Sequence, residues 1–108
     1  MFFSGLTVTF LKQFFYGLWL MLPVLVSLAV IVSLLGYYVG KIEKWPRYDG
    51  IYWAFITATT VGYGDIRPVE KKSRFVAVMI GFLGLTLTGI IVAVAVQAAT
   101  LAIGSQRI

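Results

Sequence analysis

The sequence predicts an all-α membrane protein in which two helices cross the bilayer and a third, shorter one enters it without crossing. Three observations lead there. Hydrophobic residues make up 60% of the 108 and charged residues only 12%, where a soluble domain carries about 45–50% and about 25%. No charged residue occurs between Lys12 and Lys41, or between Arg74 and Arg107. Each stretch exceeds the roughly 20 helical residues that cross a hydrocarbon core, but neither is long enough to cross twice. Between them, residues 41–74 hold all four acidic residues and seven of the nine basic ones.

The elements follow in order. Residues 1–15 are apolar and aromatic with one charge, Lys12; an interfacial helix lying along the membrane is preferred to simple fraying. No basic stretch precedes the apolar residues as a cleaved signal peptide requires. An outer helix is expected over 16–40. Phe14, Phe15, Tyr16 and Trp19 lie at one interface, with Tyr37, Tyr38 and Trp45 at the other, as an aromatic belt. Pro23, early in the apolar run, is expected to kink it slightly. In the 41–74 loop, Ile51, Tyr52, Phe55, Ile56 and Thr59 recur at helical spacing, giving a helix at about 49–60 with Asp49 as its N-cap. Apolar yet too short to cross, this helix is expected to be re-entrant and shielded by protein. An inner helix follows over 75–104, where Gly81, Gly84 and Gly89 permit close packing or bending. The whole, 1–108, reads as one domain.

Several function classes are excluded. Without cysteine or histidine there is no disulfide, thiolate or imidazole ligand and no nucleophile–histidine pair. None of the four acids has a catalytic partner, so no enzyme and no cofactor are expected. Both spans lack Asp and Glu, which a proton-coupled exporter would need. No helix carries arginine at every third position as a voltage sensor would. The net charge of +5 suits residues flanking membrane spans; no basic stripe interleaved with aromatics points to nucleic acid.

Directly after the short helix comes Thr57-Ala58-Thr59-Thr60-Val61-Gly62-Tyr63-Gly64-Asp65. Here the sequence resembles the potassium channels, whose pore loop carries T-x-x-T-V-G-Y-G-D. The resemblance covers nearly the whole chain, and it is strongest to prokaryotic channels with two transmembrane helices. The residue types make physical sense. A cation shedding its water needs a dense stack of oxygens, and backbone carbonyls supply one without a formal charge that would trap the ion. Aiming successive carbonyls at one axis requires backbone of alternating hand, which Gly62 and Gly64 tolerate at little steric cost. Val61 and Tyr63 then point outward and pack to hold the diameter. One chain contributes one strand, and surrounding an ion evenly takes several copies in closed symmetry.

The resemblance implies a homotetramer in the lipid bilayer, with four stacked K+ sites framed by the carbonyls of Thr60, Val61, Gly62 and Tyr63, and with Gly64 completing the filter at 60–64. It places the Thr60 hydroxyl beneath the lowest site and has Tyr63 hydrogen-bonded to Trp53 and Thr57, with Asp65 reaching Tyr52. Many members have Trp where this chain has Tyr52, and some have Glu where it has Ile56, so the network behind Asp65 is altered. The C-terminus of the short helix, with roughly −0.5 of partial charge, would favour a cation midway through the bilayer. Gly84 falls at the gating-hinge position, with helix packing as the competing reading. Leu85, Thr88, Val92 and Val96 are expected toward the pore, Val92 and Val96 (with Thr100 as a further candidate) as an apolar constriction that closes by dewetting. Arg67 is expected as a ring of charge at the outer mouth, or as a solvated loop arginine.

The implied function is passive K+ conduction across the cell membrane. A weakly selective cation channel of the same fold is the alternative, and a non-conducting membrane scaffold a remote one. Counting Lys and Arg alone would put the 41–74 loop in the cytoplasm, whereas the resemblance puts it outside and both termini inside. A cytosolic gating domain beyond this chain, carrying the balancing charge, is one explanation of that conflict.

Overall fold

The computed structural model describes residues 2–106, with side chains from Gly5 to Ser105. Three helices occur among them: α1 (Phe2–Glu43), α2 (Asp49–Ala58) and α3 (Lys71–Gln106). α1 and α3 are long and apolar enough to cross a membrane. At 1.5 Å per residue, the 42 residues of α1 extend about 63 Å, roughly twice a hydrocarbon core. Residues 1–15, expected as an interfacial segment apart from the outer helix, are continuous with it from Phe2 onward. Nothing in the sequence breaks the helix there: Gly5 and Gly17 stand singly among helix-compatible residues. Pro23 lies inside α1; it cannot donate to the carbonyl four residues back, yet the helix runs through it.

Further boundaries differ from the sequence reading: α1 runs to Glu43 rather than 40 and α3 to Gln106 rather than 104. α2 ends at Ala58, with Thr59 and Thr60 forming a turn. Its cap residue is Tyr48, and Asp49 is the first helical residue. Asp49 therefore acts on the helix through its charge in the first turn, where a carboxylate is favourable, and makes no side-chain cap. α3 starts four residues earlier than the expected inner helix, at Lys71.

The chain divides into two compact units, Leu25–Thr88 and the two flanking stretches, residues 1–24 with 89–108. The first holds the core: Val32, Val39, Trp53, Ala54, Ala58, Val76 and Ile80 are buried together. Its helices meet at glycines. A Cβ on Gly36 would lie 2.5 Å from both the Ala54 methyl and the Gly50 carbonyl oxygen, and one on Gly50 would collide with the Gly36 carbonyl. α1 and α2 thus touch backbone to backbone, which only small residues allow. α3 meets α2 in the same way, since a Cβ on Gly84 would overlap the Ala58 carbonyl. In the second unit, Gly17 faces Val94, whose Cγ1 would stand 2.6 Å from an added Cβ. Phe10 and Phe14 stack there at 5.7 Å.

α1 ends in a tight reversal. Trp45 N–H donates to the Gly40 carbonyl at 3.0 Å, and Lys44 between them has φ +59°. This is a Schellman-type terminus, whose left-handed position glycine normally fills. A lysine there carries about 1 kcal/mol of backbone strain. Lys44→Gly is therefore expected to raise the melting temperature by a few degrees, followed by circular dichroism; a lower value would show that the lysine side chain stabilises the turn.

Candidate functional site

α2 delivers the chain to its conspicuous segment. The last four carbonyls of a helix lack partners within it, and three of these four are taken up by residues just beyond. Thr59 N–H and its Oγ1 both donate to the Phe55 carbonyl, at 2.9 and 2.6 Å, and Thr60 N–H donates to Thr57 at 3.1 Å. Gly62 N–H reaches back to the Ile56 carbonyl at 3.2 Å. The fourth carbonyl, of Ala58, lies against Gly84. The helix end is thus sealed by the irregular segment that follows it, residues 59–64, and its dipole acts through orientation.

From Thr60 to Gly64 the backbone alternates. Thr60, Gly62 and Gly64 have φ of +65°, +55° and +79°, while Val61 and Tyr63 do not share that hand. Sequence reasoning anticipated the two glycines and missed Thr60, a β-branched residue in a region such residues rarely enter. Among the described residues, and apart from each glycine's own chain neighbours, no heavy atom lies within 4 Å of where a Cβ on Gly62 or Gly64 would stand. Backbone hand, not lack of room within the chain, is what calls for glycine there. Tyr63 is 70% exposed and Val61 49%.

The far end of the segment is tied by Asp65. Its Oδ2 accepts from Tyr52 Oη at 3.0 Å, and its Oδ1 from Ile66 N–H at 3.1 Å. The first bond joins the strand back to α2 thirteen residues earlier. Donating its hydrogen bond to the Asp65 carboxylate holds the Tyr52 phenol above its ordinary range, with burial and the Asp65 charge adding. Tyr63 is not brought to Trp53 or Thr57: among the described residues no hydrogen bond joins them. Trp53 is buried instead, packed edge-on against Trp45 with centroids 5.6 Å apart, while Tyr63 is exposed.

Two features escaped sequence reasoning. Glu43 accepts from the N–H groups of Val69 and Glu70, both at 2.9 Å, one on each carboxylate oxygen, and so closes the whole 44–68 excursion. Ser73 lies fully buried near the same carboxylate without a hydrogen bond of ordinary geometry. The signal for Glu43 was a lone acid at the end of a long uncharged run. The signal for the α1–α2 contact was the four-residue spacing of Gly36 and Gly40.

On α3, Leu85, Thr88, Val92 and Val96 are exposed, at spacings that share one helical face. Thr100 bonds its hydroxyl to the Val96 carbonyl at 2.9 Å, which turns its polarity inward to the helix. Gly84 lies inside an unbroken helix, in close contact with Ala58.

The sequence that forms this half-buried helix and the segment of alternating hand after it, between two apolar helices, has counterparts among known proteins. The profile of a family described as "Ion channel" matches residues 20–100. The chain belongs to the ion-channel family. With two helices apolar enough to cross a bilayer, it is a membrane protein of a family whose members are channels rather than enzymes. This channel chain is 37% identical over 65 residues to TWiK family of potassium channels protein 7 of Caenorhabditis elegans, covering 60% of itself and 12% of that protein. With two-pore potassium channel 3 of Arabidopsis thaliana it shares 35% over 78 residues, 66% of itself and 18% of the relative. With a voltage-gated potassium channel of Aeropyrum pernix it shares 36% over 39 residues, 36% of itself and 13% of the relative. The chain therefore spans under a fifth of the length of these relatives. No solved structure matches it.

The Tyr52–Asp65 bond gives a pH test. Folding favours the protonated phenol, so the contribution is whole below the ordinary tyrosine value of 10.0 and is lost as pH rises through the raised one. The stability gap between wild type and Tyr52→Phe, measured by thermal unfolding, is expected to hold steady near neutrality and shrink above pH 10.0. A gap independent of alkaline pH would show that the bond does not stabilise the folded chain.

Proposed function

We propose that this channel chain is the pore subunit of a homotetramer that conducts K+ selectively, with residues 60–64 as its filter. The observation that carries the reading is the alternating backbone at Thr60, Gly62 and Gly64. An alternating strand can turn successive carbonyls to one side, and four such strands around an axis replace an ion's water. The potassium channels that the chain matches favour the same reading. The Thr60, Val61, Gly62 and Tyr63 carbonyls frame the ion sites, and K+ passes as substrate with no other cofactor required.

The tetramer is supported by what one chain leaves uncovered. Val61 and Tyr63 are exposed and the space beside both filter glycines is empty, so a filter of fixed width needs neighbouring copies to pack against it. Trp53, Thr57, Tyr52 and Asp65 support the filter from behind, with the partners of Tyr63 supplied by another copy. α1 from residue 16 to 40 is the outer helix, 41–74 the pore loop, and 75–104 the inner helix. The loop faces outward across the cell membrane, with both termini cytoplasmic, where a gating domain outside this chain would act.

Reconstitution into liposomes under opposed K+ and Na+ gradients tests selectivity. The reversal potential is expected to follow K+, with at least a tenfold preference, about 1.4 kcal/mol of discrimination. A reversal potential following Na+ equally would instead make this a weakly selective cation channel of the same fold.

On the inner helix, Leu85 and Thr88 line the cavity, Gly84 sets the close approach to α2, and Val92 and Val96 form the apolar gate. Thr100, its hydroxyl spent on the helix, adds a methyl to the same ring. Val96→Asp, which wets such a constriction, is expected to raise the open probability of single channels several-fold at rest. An unchanged closed fraction would remove Val96 from the gate.

A further inference from the structure

We propose that the first part of α1 and the last part of α3 hold a site for a small uncharged amphiphile with a hydroxyl head group, an alcohol dissolved in the membrane. Gln13, Tyr16, Gly17 and Met21 of α1, with Val94 and Gln97 of α3, line one cavity of about 400 Å³, at the small end of ligand sites. All lie in one compact unit, residues 1–24 with 89–108. Gly17 stands against Val94, where an added Cβ would come 2.6 Å from Cγ1. One turn from that contact on each helix come Gln13 and Gln97. Among the described residues neither carboxamide makes a hydrogen bond, and an amide left so beside hydrocarbon is costly.

The cavity is graded. Gln13, Tyr16 and Gln97 are its polar side chains, and the rest of its lining, toward Met21, is apolar. Tyr16 and Tyr38 are separated by about 33 Å of helix, the depth of a hydrocarbon core. The polar end therefore sits at a membrane boundary and the apolar end reaches inward. A molecule with its head at the boundary and its body in hydrocarbon matches that order.

The lining also selects the head group. No charged residue belongs to it, Lys12 beside Gln13 included. A carboxylate or an ammonium would enter with its charge uncompensated in a low dielectric. Each carboxamide offers two N–H donors and one carbonyl acceptor, and a hydroxyl can both accept from the one and donate to the other. A plain hydrocarbon would leave both amides unsatisfied. The small volume suits a single-chain alcohol. Val94 lies nearly opposite both Val92 and Val96 on α3, so the cavity is separate from the face proposed to line the pore. Occupancy does not depend on conduction, and its test stands apart from that of selectivity.

The full chain is reconstituted in phosphatidylcholine vesicles, illuminated with octanol carrying a diazirine and digested, and the adducts are mapped by mass spectrometry. Adducts are expected at Met21 and Val94, in clear excess over Leu34 and Phe82, which are exposed elsewhere on the two helices. Excess octanol should displace the label, whereas octane and octanoate at equal membrane concentration should not. Gln13→Leu with Gln97→Leu should lower labelling about tenfold, on the scale of two hydrogen bonds between neutral groups. Leucine keeps the bulk and suits the surroundings, so the melting temperature should not fall; if it does, the competition on the wild-type chain decides the case. Thr86→Val removes a hydroxyl of α3 outside the cavity, one already bonded to the Phe82 carbonyl, and should leave labelling unchanged. Adducts spread evenly over the four residues, displacement by octane as effective as by octanol, undiminished labelling of the double variant, or an equal loss in Thr86→Val overturns the proposal. So does the absence of adducts at Met21 and Val94, the result if water or a second copy of the chain fills the space.

Discussion

The short strand after α2 is held in a shape that it could not keep alone. Left-handed backbone at Thr60 costs energy in any free peptide, since a β-branched side chain crowds its own carbonyl there. The tethers at its two ends offset that cost. Ile56 and Thr57 carbonyls hold the base through the Gly62 and Thr60 amides, and Asp65 ties the top to Tyr52. Both anchors sit on α2, so the strand's geometry is only as good as the placement of that ten-residue helix.

α2 is in turn fixed by the absence of side chains. Gly36 and Gly50 let it lie on α1 with backbones in contact, and Gly84 lets α3 close on its last carbonyl. Membrane helices gain little from burying apolar surface against one another, because lipid is as apolar as leucine; close van der Waals contact does more. Trp53 and Trp45 then fill the space between. A membrane protein with so few polar contacts thus positions its polar backbone by contact among its smallest residues.

Much of this was legible in the residues. Two uncharged runs gave the long helices, helical spacing from Ile51 gave α2, and the glycines at 62 and 64 gave the alternation. What was not legible depended on three dimensions. The cap of α2 fell on Tyr48 because the turn enters with helical backbone, which leaves Asp49 no N-cap role. The continuity of α1 from Phe2 was hidden because aromatic residues suit an interfacial helix and a spanning one equally. The burial of Trp53 against Trp45 could not be foreseen, since a helix of this length offers an aromatic residue several faces.

Glu43 deserves a mechanical reading. A carboxylate that grips the amides of Val69 and Glu70 fastens the start of one long helix to the finish of the other. In a chain without cysteine it does the work of a staple, made of charge and hydrogen bonds. A pull on the upper part of α3 is then shared with α1 through this clasp before it reaches the strand at residues 60–64. The two long helices can be strained together while the segment at residues 60–64 is spared.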